Sequence, residues 1–407
     1  MSGIVDSRVT AKPRRVADTA WAAPASVGLR PYQVCTRCVM DTSATDIVFD
    51  DFGVCNYCTE FLERSFELRH ADTAARQSGL DALLNKVRAG GRGKSYDCVV
   101  GVSGGVDSSW AVVQTVRLGL RPLAVHMDNG WNSELAQNNI ANLVRGLGVD
   151  LYTHVINWIE YRNLMQAFFD ADVLDVELLY DNAMMAVNYR QAARHGVKFI
   201  LAGTNQVTEG MRIPPGWNWH KLDARNIRAL GKQFGGIRLK TFPAIGALGY
   251  IVFERVRGIR WISFNDFLEY NKFAALDVLQ REYGYKPYPY KHYESIFTRF
   301  YQGYILPTKF GVDKRRLHLS TLVASGQMTR DDALKGTEGL AYPSDAALEE
   351  DKDYFVKKMG WTRDDLARYI ARPEKPHSAY PSEKPRWDFL VEVYRRFIRR
   401  RKTRGSY

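Results

Sequence analysis

The stretch Tyr96-Asp-Cys-Val-Val-Gly-Val-Ser-Gly-Gly-Val-Asp-Ser-Ser-Trp110 decides the fold of this chain. Asp97–Val102 reads as a continuous apolar strand, as in a parallel sheet buried on both faces. It ends in Ser103-Gly104-Gly105-Val106-Asp107-Ser108, and the helical pattern Ser109–Leu118 follows. A strand, a Gly-rich turn and a helix N-terminus together make a geometry that grips phosphate. The turn is not a Walker loop, because no Gly-Lys-Ser/Thr closes it. Gly104 and Gly105 let backbone N–H groups approach a phosphate with no Cβ in the way. The hydroxyls of Ser103, Ser108 and Ser109 can donate to phosphate oxygens. Asp107 would be repelled by bare phosphate, so it holds Mg²⁺ or orders the loop. The plain alternative is a Gly-rich turn with an N-capping Asp or Ser.

The hexad resembles the Ser-Gly-Gly-x-Asp-Ser loop of the ATP pyrophosphatase (PP-loop) enzymes. That resemblance implies ATP cleaved between its α- and β-phosphates and an oxygen of the substrate adenylated. Outward from the loop, strands at Arg121–His126, Leu151–Ile156 and Lys198–Ala202 alternate with helices at Leu135–Leu147 and Asn182–His195. This alternation predicts an α/β fold with a doubly wound parallel sheet, with ligands at the C-terminal ends of its strands. Two further strand ends are polar. Asp128 is placed to bind the nucleotide or its magnesium, or to cap a turn. Gly203-Thr204-Asn205 is placed beside ATP, or caps a helix.

Four of the five cysteines form two pairs, Cys35-Thr-Arg-Cys38 and Cys55-Asn-Tyr-Cys58. Each Cys-x-x-Cys turn puts two thiolates on one side of a metal, and two such turns complete a tetrahedron. The spacing is near that of zinc ribbons. Structural Zn²⁺ is the expectation, with an iron–sulfur cluster or redox thiols as alternatives. Cys98 lies in the strand before the loop and reads as a small buried hydrophobe.

The length of 407 residues suits two or three domains. Hydrophobic residues at 45% and charged residues at 25% are ordinary for a soluble protein. A net charge of +12 points toward anionic partners: nucleotides, nucleotide-linked sugars, nucleic acid or anionic lipid. No run reaches the ~18 apolar residues of a transmembrane segment. Phe242–Phe253 is too short and reads as a buried segment or the apolar wall of a pocket, with an interfacial role as the lesser alternative. The N-terminus shows no signal pattern, so a cytoplasmic location is expected. The expected organisation is a mobile leader at 1–29, a four-Cys module at 30–65 and an ATP-binding α/β domain at 66–250. A mostly helical substrate-binding region follows at 251–390, then a basic tail at 391–407.

Three downstream segments mix aromatic and charged groups. Thr208-Glu-Gly-Met-Arg-Ile-Pro-Pro-Gly-Trp-Asn-Trp-His220 offers Glu209 and Trp217 to a substrate, since aromatic loops stack on sugars and bases; the alternative is a packed structural loop. Tyr285–Ser295 carries Lys291, His292 and Glu294, and Leu306–Ser320 carries Lys309, Lys314, Arg315 and Arg316. These cations could neutralise pyrophosphate as transfer at the α-phosphorus builds charge, or lie solvated on the surface.

Taken together, Val34–Ser43, Gly53–Cys58, the Ser-Gly-Gly-Val-Asp-Ser loop, Leu201–Asn205, Lys291–Ser295, Lys309–Ser320 and Ser325–Arg330 stand in one order. This set, from about residue 33 to 335, resembles the N-acetyl sugar amidotransferases of bacterial O-antigen and pseudaminic acid pathways. The resemblance implies that the acetamido group of a nucleotide-linked sugar becomes an acetamidino group. The implied course is adenylation of the amide oxygen and displacement of AMP by ammonia. Lys291 or Lys309 would steady the expelled pyrophosphate. His292, Glu294, Arg315 and Arg316 would meet the substrate. Residue 2 is Ser and Cys98 lies in a strand, so no glutaminase nucleophile is evident, and a separate glutaminase subunit is the implied partner. Nucleic acid is not an expected partner. The rivals are a PP-loop tRNA sulfur transferase, which needs a free cysteine near ATP, and a non-catalytic nucleic-acid-binding module.

Overall fold

The computed structural model describes residues 31–66, 72–236, 238–288 and 293–404. The apolar run before the Gly-rich turn forms β1 (Cys98–Gly101), the middle of a five-stranded sheet. The other strands are β2 (Pro122–Asp128), β3 (Leu151–Val155), β4 (Phe199–Ala202) and β5 (Arg260–Ser263). Their order is β3-β2-β1-β4-β5, and every neighbouring pair is parallel. The doubly wound α/β expectation is met. The chain reverses its direction of travel across the sheet between β1 and β4. In such sheets that switch point opens a crevice outside the strand C-termini.

Alternation along β1 explains why both faces are covered. Val99 packs in one core cluster with Leu123, Val125 and Ile200. Cys98 and Val100 pack in the other with Ala124 and Leu201. Successive side chains of a strand point to opposite faces, so a continuous apolar run needs a layer on each side. The helices Val106–Arg117 and Leu178–Arg194 bury whole faces against these layers. Helix Glu134–Leu147 begins where Ser133 accepts the Ala136 N–H at 3.2 Å. It ends at Gly148, whose φ of 63° is the left-handed cap that favours glycine.

The structure departs from the expected boundaries in three places. β5 lies beyond residue 250, so the sheet extends into the segment expected to be helical. Arg260-Trp-Ile-Ser263 is a four-residue edge strand without a fully buried position, too short for a periodic signal. The segment Phe242–Phe253 is only half interior. Phe242, Ile245 and Ala247 are buried, whereas Leu248 and Val252 are exposed on a helix that begins at Ala247. The basic tail is the end of one helix, Lys384–Arg404, and not a separate element. The leader at 1–29 lies outside the described residues, as do positions 405–407. Among the described residues, no helix is long and apolar enough to cross a membrane.

The four-Cys module docks on the C-terminal half. Arg316 pairs with Asp41 at 2.9 Å and donates to the Val39 carbonyl at 2.9 Å. Ser320 accepts the Val39 N–H at 3.1 Å, and Arg330 donates to the carbonyls of Cys35 and Cys38. Arg212 adds a third clamp, pairing with both Asp46 and Glu60. The module therefore fixes helix Lys314–Ala324, which forms one wall of the site.

Candidate active site

The Gly-rich loop is held from within. The Ser103 N–H donates to Ser108 Oγ at 3.2 Å, and the two hydroxyls lie 3.1 Å apart. Gly104 has φ of 89°, and a Cβ there would press on Ala136. Its carbonyl accepts two phenolic hydroxyls, from Tyr285 at 2.9 Å and Tyr288 at 3.1 Å. Gly105 caps helix Val106–Arg117 with no side-chain acceptor for the first-turn N–H groups. Such donors suit an anion at the helix N-terminus.

Asp107 organises the elements around this loop. Its Oδ1 accepts from Tyr270 at 2.7 Å, from Thr208 at 3.1 Å and from Asn205 at 3.1 Å. Its Oδ2 lies 4.0 Å from Lys272 Nζ. Burial first, and then the Asp107 charge, push the Tyr270 hydroxyl far above its ordinary range, so it stays a donor. Gly203 sits directly against the Asp107–Ser108 backbone, where any Cβ would overlap main-chain atoms. The Asn265 amide bridges the carbonyls of Asp107 and Gly203. Burial raises the Asp266 carboxyl to about 6, against the opposing pull of the Gln206 N–H that it accepts. The loops after β1 and β4 are thus locked together.

They open on a cleft of about 460 Å³ at the C-terminal ends of β1 and β4. Its walls include Ser103, Gly105, Asp107, Ser108, Gly203 and Thr204. Lys272, His318 and Glu209 also line it, and the Glu294 carboxylate lies against the loop itself, where a Cβ on Gly105 would overlap Glu294 Oε1. A cleft of this size, apolar with a few convergent polar groups, suits a nucleotide-sized ligand. Lys272 is the one Lys or Arg lining it among the described residues.

Several expected site residues are placed elsewhere. Ser109 is buried within its helix, so its hydroxyl does not face the cleft. Asn205 is also buried; it caps the Gln206–Glu209 turn and holds Asp107. Asp128 caps its own turn, accepting from Gly130 N–H at 2.8 Å and Asn132 at 3.2 Å, and it is not part of the cleft wall. Trp217 is a buried core residue, so it cannot stack on a sugar there.

The basic segment is corrected most strongly. The Lys309 side chain is 0% exposed and pairs with Asp172 at 3.2 Å. It also donates to the carbonyls of Tyr369 and Arg372 and lies over the Tyr369 ring. Burial lowers its pKa, with Asp172 opposing. Arg315 forks onto Asp313 and donates to carbonyls at Gly336–Gly339. Arg316 clamps the cysteine module. Lys314 pairs with Glu177 at 2.7 Å. These cations have internal partners and do not converge on the cleft. Lys291 and His292 lie outside the described residues.

Sequence reasoning missed Tyr270, Lys272 and His318 as cleft-forming residues. Nothing local distinguishes the first two. Tyr285 and Tyr288, from the aromatic and basic segment Tyr285–Ser295, hold the loop through the Gly104 carbonyl.

The four paired cysteines converge. Their sulfurs all lie within 4.8 Å of one another, and all four residues are buried. Cys38 and Cys55 sulfurs are 3.7 Å apart, and those of Cys35 and Cys58 are 4.0 Å apart. A tetrahedral zinc site has sulfur–sulfur edges of about 3.8 Å, given Zn–S bonds near ~2.3 Å. The spacing fits one four-coordinate ion and leaves no room for a multi-iron cluster. N–H groups of Arg37, Cys38 and Cys55 point at Cys35 Sγ, and that of Met40 at Cys38 Sγ, which favours thiolates. Cys98 is fully buried in β1, and burial pushes its thiol up.

Comparison with known proteins bears on the C-terminal half. No curated protein matches the sequence. Among solved structures the chain is similar to the NH3-dependent NAD synthetase of Campylobacter jejuni subsp. jejuni, at 14% identity and a TM-score of 0.28, over 65% of this chain and 97% of that one. It is also similar to NMN synthetase from Francisella tularensis, at 14% identity and a TM-score of 0.26, over 58% of this chain and 98% of that one. At these scores the likeness carries no argument. Residues 294–394 match the family described as LPS biosynthesis protein WbpG-like, C-terminal domain. The stretch similar to that family begins at Glu294, whose carboxylate lies against Gly105, and its His318, Leu319, Leu322 and Met328 also line the cleft.

Proposed function

We propose that this chain is an ATP-dependent amidotransferase of lipopolysaccharide biosynthesis. It converts the acetamido group of an N-acetylated sugar into an acetamidino group. The observation that carries the reading is the cleft itself, which joins a PP-loop-like turn to a domain of the WbpG-like kind.

In this reading the first-turn N–H groups and the hydroxyls of Ser103 and Ser108 bind the phosphates of ATP. Lys272 supplies the cation that Lys309 was expected to supply. Asp107 keeps the loop in register; with Glu294 beside Gly105, it would hold Mg²⁺, whose charge would neutralise the phosphates. The amide oxygen of the sugar attacks the α-phosphorus, forming an O–P bond as pyrophosphate leaves. Ammonia then adds to the imidate carbon, AMP departs with the oxygen, and a proton is released. Glu209 and His318 stand at the cleft walls to receive the sugar or that proton. A separate glutaminase subunit supplies ammonia, and the four-Cys site holds structural Zn²⁺. A sulfur-transfer reading needs a thiol at the cleft, but none of the five cysteines lines it.

The test incubates the purified chain with ATP, magnesium, ammonium and candidate nucleotide-linked acetamido sugars, with mass spectrometry of sugar and nucleotide. The expected product has the carbonyl oxygen exchanged for NH, with AMP and pyrophosphate in equal amounts. Release of ADP and phosphate, or an unchanged sugar across the panel, would overturn the proposal.

A further inference from the structure

Two adjoining helices that play no part in the cleft carry exposed apolar side chains. Helix Ala247–Ile251 runs on as the π-turn Val252–Val256. Leu248 is 75% exposed, Val256 is 78% exposed, and Val252 between them is exposed as well. Residues at i, i+4 and i+8 share one helical face, so the three make an apolar stripe. The opposite side of this helix is the anchored one: Tyr250 and Phe253 pack against Tyr189.

Helix Lys384–Arg404 starts against the first turn of that helix. Glu383 Oε2 accepts the Ala247 N–H at 2.7 Å, and Trp387 meets the Tyr250 ring edge-on at 5.7 Å. Immediately beyond, Phe389 is 68% exposed and Leu390 is exposed too. Val393, one turn on from Phe389, is partly exposed. The same helix carries nine Lys or Arg residues against two acids, Asp388 and Glu392. Arg255, Arg257 and Arg386 are exposed around the junction of the two helices.

Isolated apolar residues on a surface need no explanation, but an apolar stripe beside a helix of net positive charge does. The three possible occupants make different demands. A nucleic acid would use the arginines and gain little from Leu248, Val252 and Val256. A second copy of this chain would bring the same positive charge against itself. An anionic bilayer uses both features at once. Apolar side chains enter the boundary between headgroups and acyl chains, while arginines reach the phosphates. We infer that the face formed by helices Ala247–Val256 and Lys384–Arg404 docks on an anionic phospholipid bilayer and lies on it without spanning it. The inference is independent of the chemistry proposed for the cleft.

The test is co-sedimentation of the full chain with vesicles of phosphatidylcholine alone or of equimolar phosphatidylcholine and phosphatidylglycerol. The expected result is binding to the anionic vesicles only, lost in high salt. Val256→Asp with Phe389→Asp should lower the partition coefficient at least tenfold. Arg386→Gln with Arg395→Gln should lower it by about 25-fold, since each basic group near an anionic surface contributes about fivefold. All four positions are exposed, so the melting temperature of each variant is expected to match that of the parent. Absence of binding to anionic vesicles, or binding that the two aspartates leave unchanged, would overturn the inference. So would equal binding to neutral and anionic vesicles, or loss of self-association as the sole effect of Val256→Asp.

Discussion

The Gly-rich loop at Ser103–Ser109 and the basic segment at Lys309–Arg316 both suggest phosphate chemistry, yet only the first meets the cleft. In the loop, the residues that matter are defined by what they lack. Gly104 and Gly203 permit approaches that a Cβ would block, and the requirement holds wherever the chain goes next. In the basic segment, a cation's role depends on which acid it finds. Lys309 finds Asp172, Lys314 finds Glu177 and Arg316 finds Asp41, all far away in sequence. The difference teaches that a backbone requirement can be read locally, whereas a charge acquires its meaning from the fold.

The largest test of that contrast is removal of the metal. Arg316, Ser320 and Arg330 grip the four-Cys module, so the basic segment is expected to depend on the module for its order. Structural zinc contributes ~10 kcal/mol or more of folding free energy in small modules. Chelation, or Cys55→Ser, should therefore unfold residues 31–66 and loosen helix Lys314–Ala324. The readouts are zinc release and increased hydrogen exchange in both segments. Exchange confined to the module, with helix Lys314–Ala324 unmoved, would break the link drawn between them.

Next in size is a pair of substitutions with opposite signatures. Lys309→Met removes one partner of a buried ion pair and leaves Asp172 with Arg372 alone. Breaking such a pair costs about 3–5 kcal/mol of stability, and turnover by the protein that remains folded should be near that of the parent. Asp107→Asn keeps shape and most hydrogen bonds, so stability should change little. Turnover should fall by about 10²–10³, the range seen when a preorganised charged or polar group at a reacting centre is lost. Denaturant melts and ATP–pyrophosphate exchange separate the two. If Lys309→Met abolished exchange while leaving the melt unchanged, the assignment of Lys309 to structure would fail.

The same contrast explains how much was legible before the structure. β1 to β4 and the loop could be read because apolar runs, polar strand ends and paired glycines are local signals. The convergence of the four cysteines was legible because ligand spacing within each pair is fixed by the turn. β5 escaped because four half-buried residues carry no period. Trp217 misled because an aromatic in a Pro-rich loop has the same composition whether it stacks on a ligand or fills the core. Tyr270 and Lys272 were invisible because their proximity to Asp107 is created by the packing of residues more than 160 positions apart.

The smallest effect separates the two regions by pH. His377 is buried beneath the C-terminal segment, where burial lowers its pKa to about 4. Its two ring nitrogens require the neutral form. Nδ1 is 2.8 Å from the Asn226 side-chain oxygen, and Nε2 accepts the Asp175 N–H at 3.1 Å. A proton on Nε2 would set two donors against each other. The unfolded chain takes that proton near pH ~6.5. Stability from the neutral ring is therefore fully present above that value and is lost as pH falls toward 4, with about 3 kcal/mol at stake. Denaturant melts of the parent should weaken across this window, and those of His377→Gln should start lower at neutral pH and show a shallower slope. The cleft loop contains no histidine, so the acid loss should register as C-terminal unfolding, seen as exchange at Asn226 and Asp175 before any at Gly104 or Gly203. The reverse order would place the acid-sensitive element in the loop and dissolve the contrast between a locally determined site and a partner-determined scaffold.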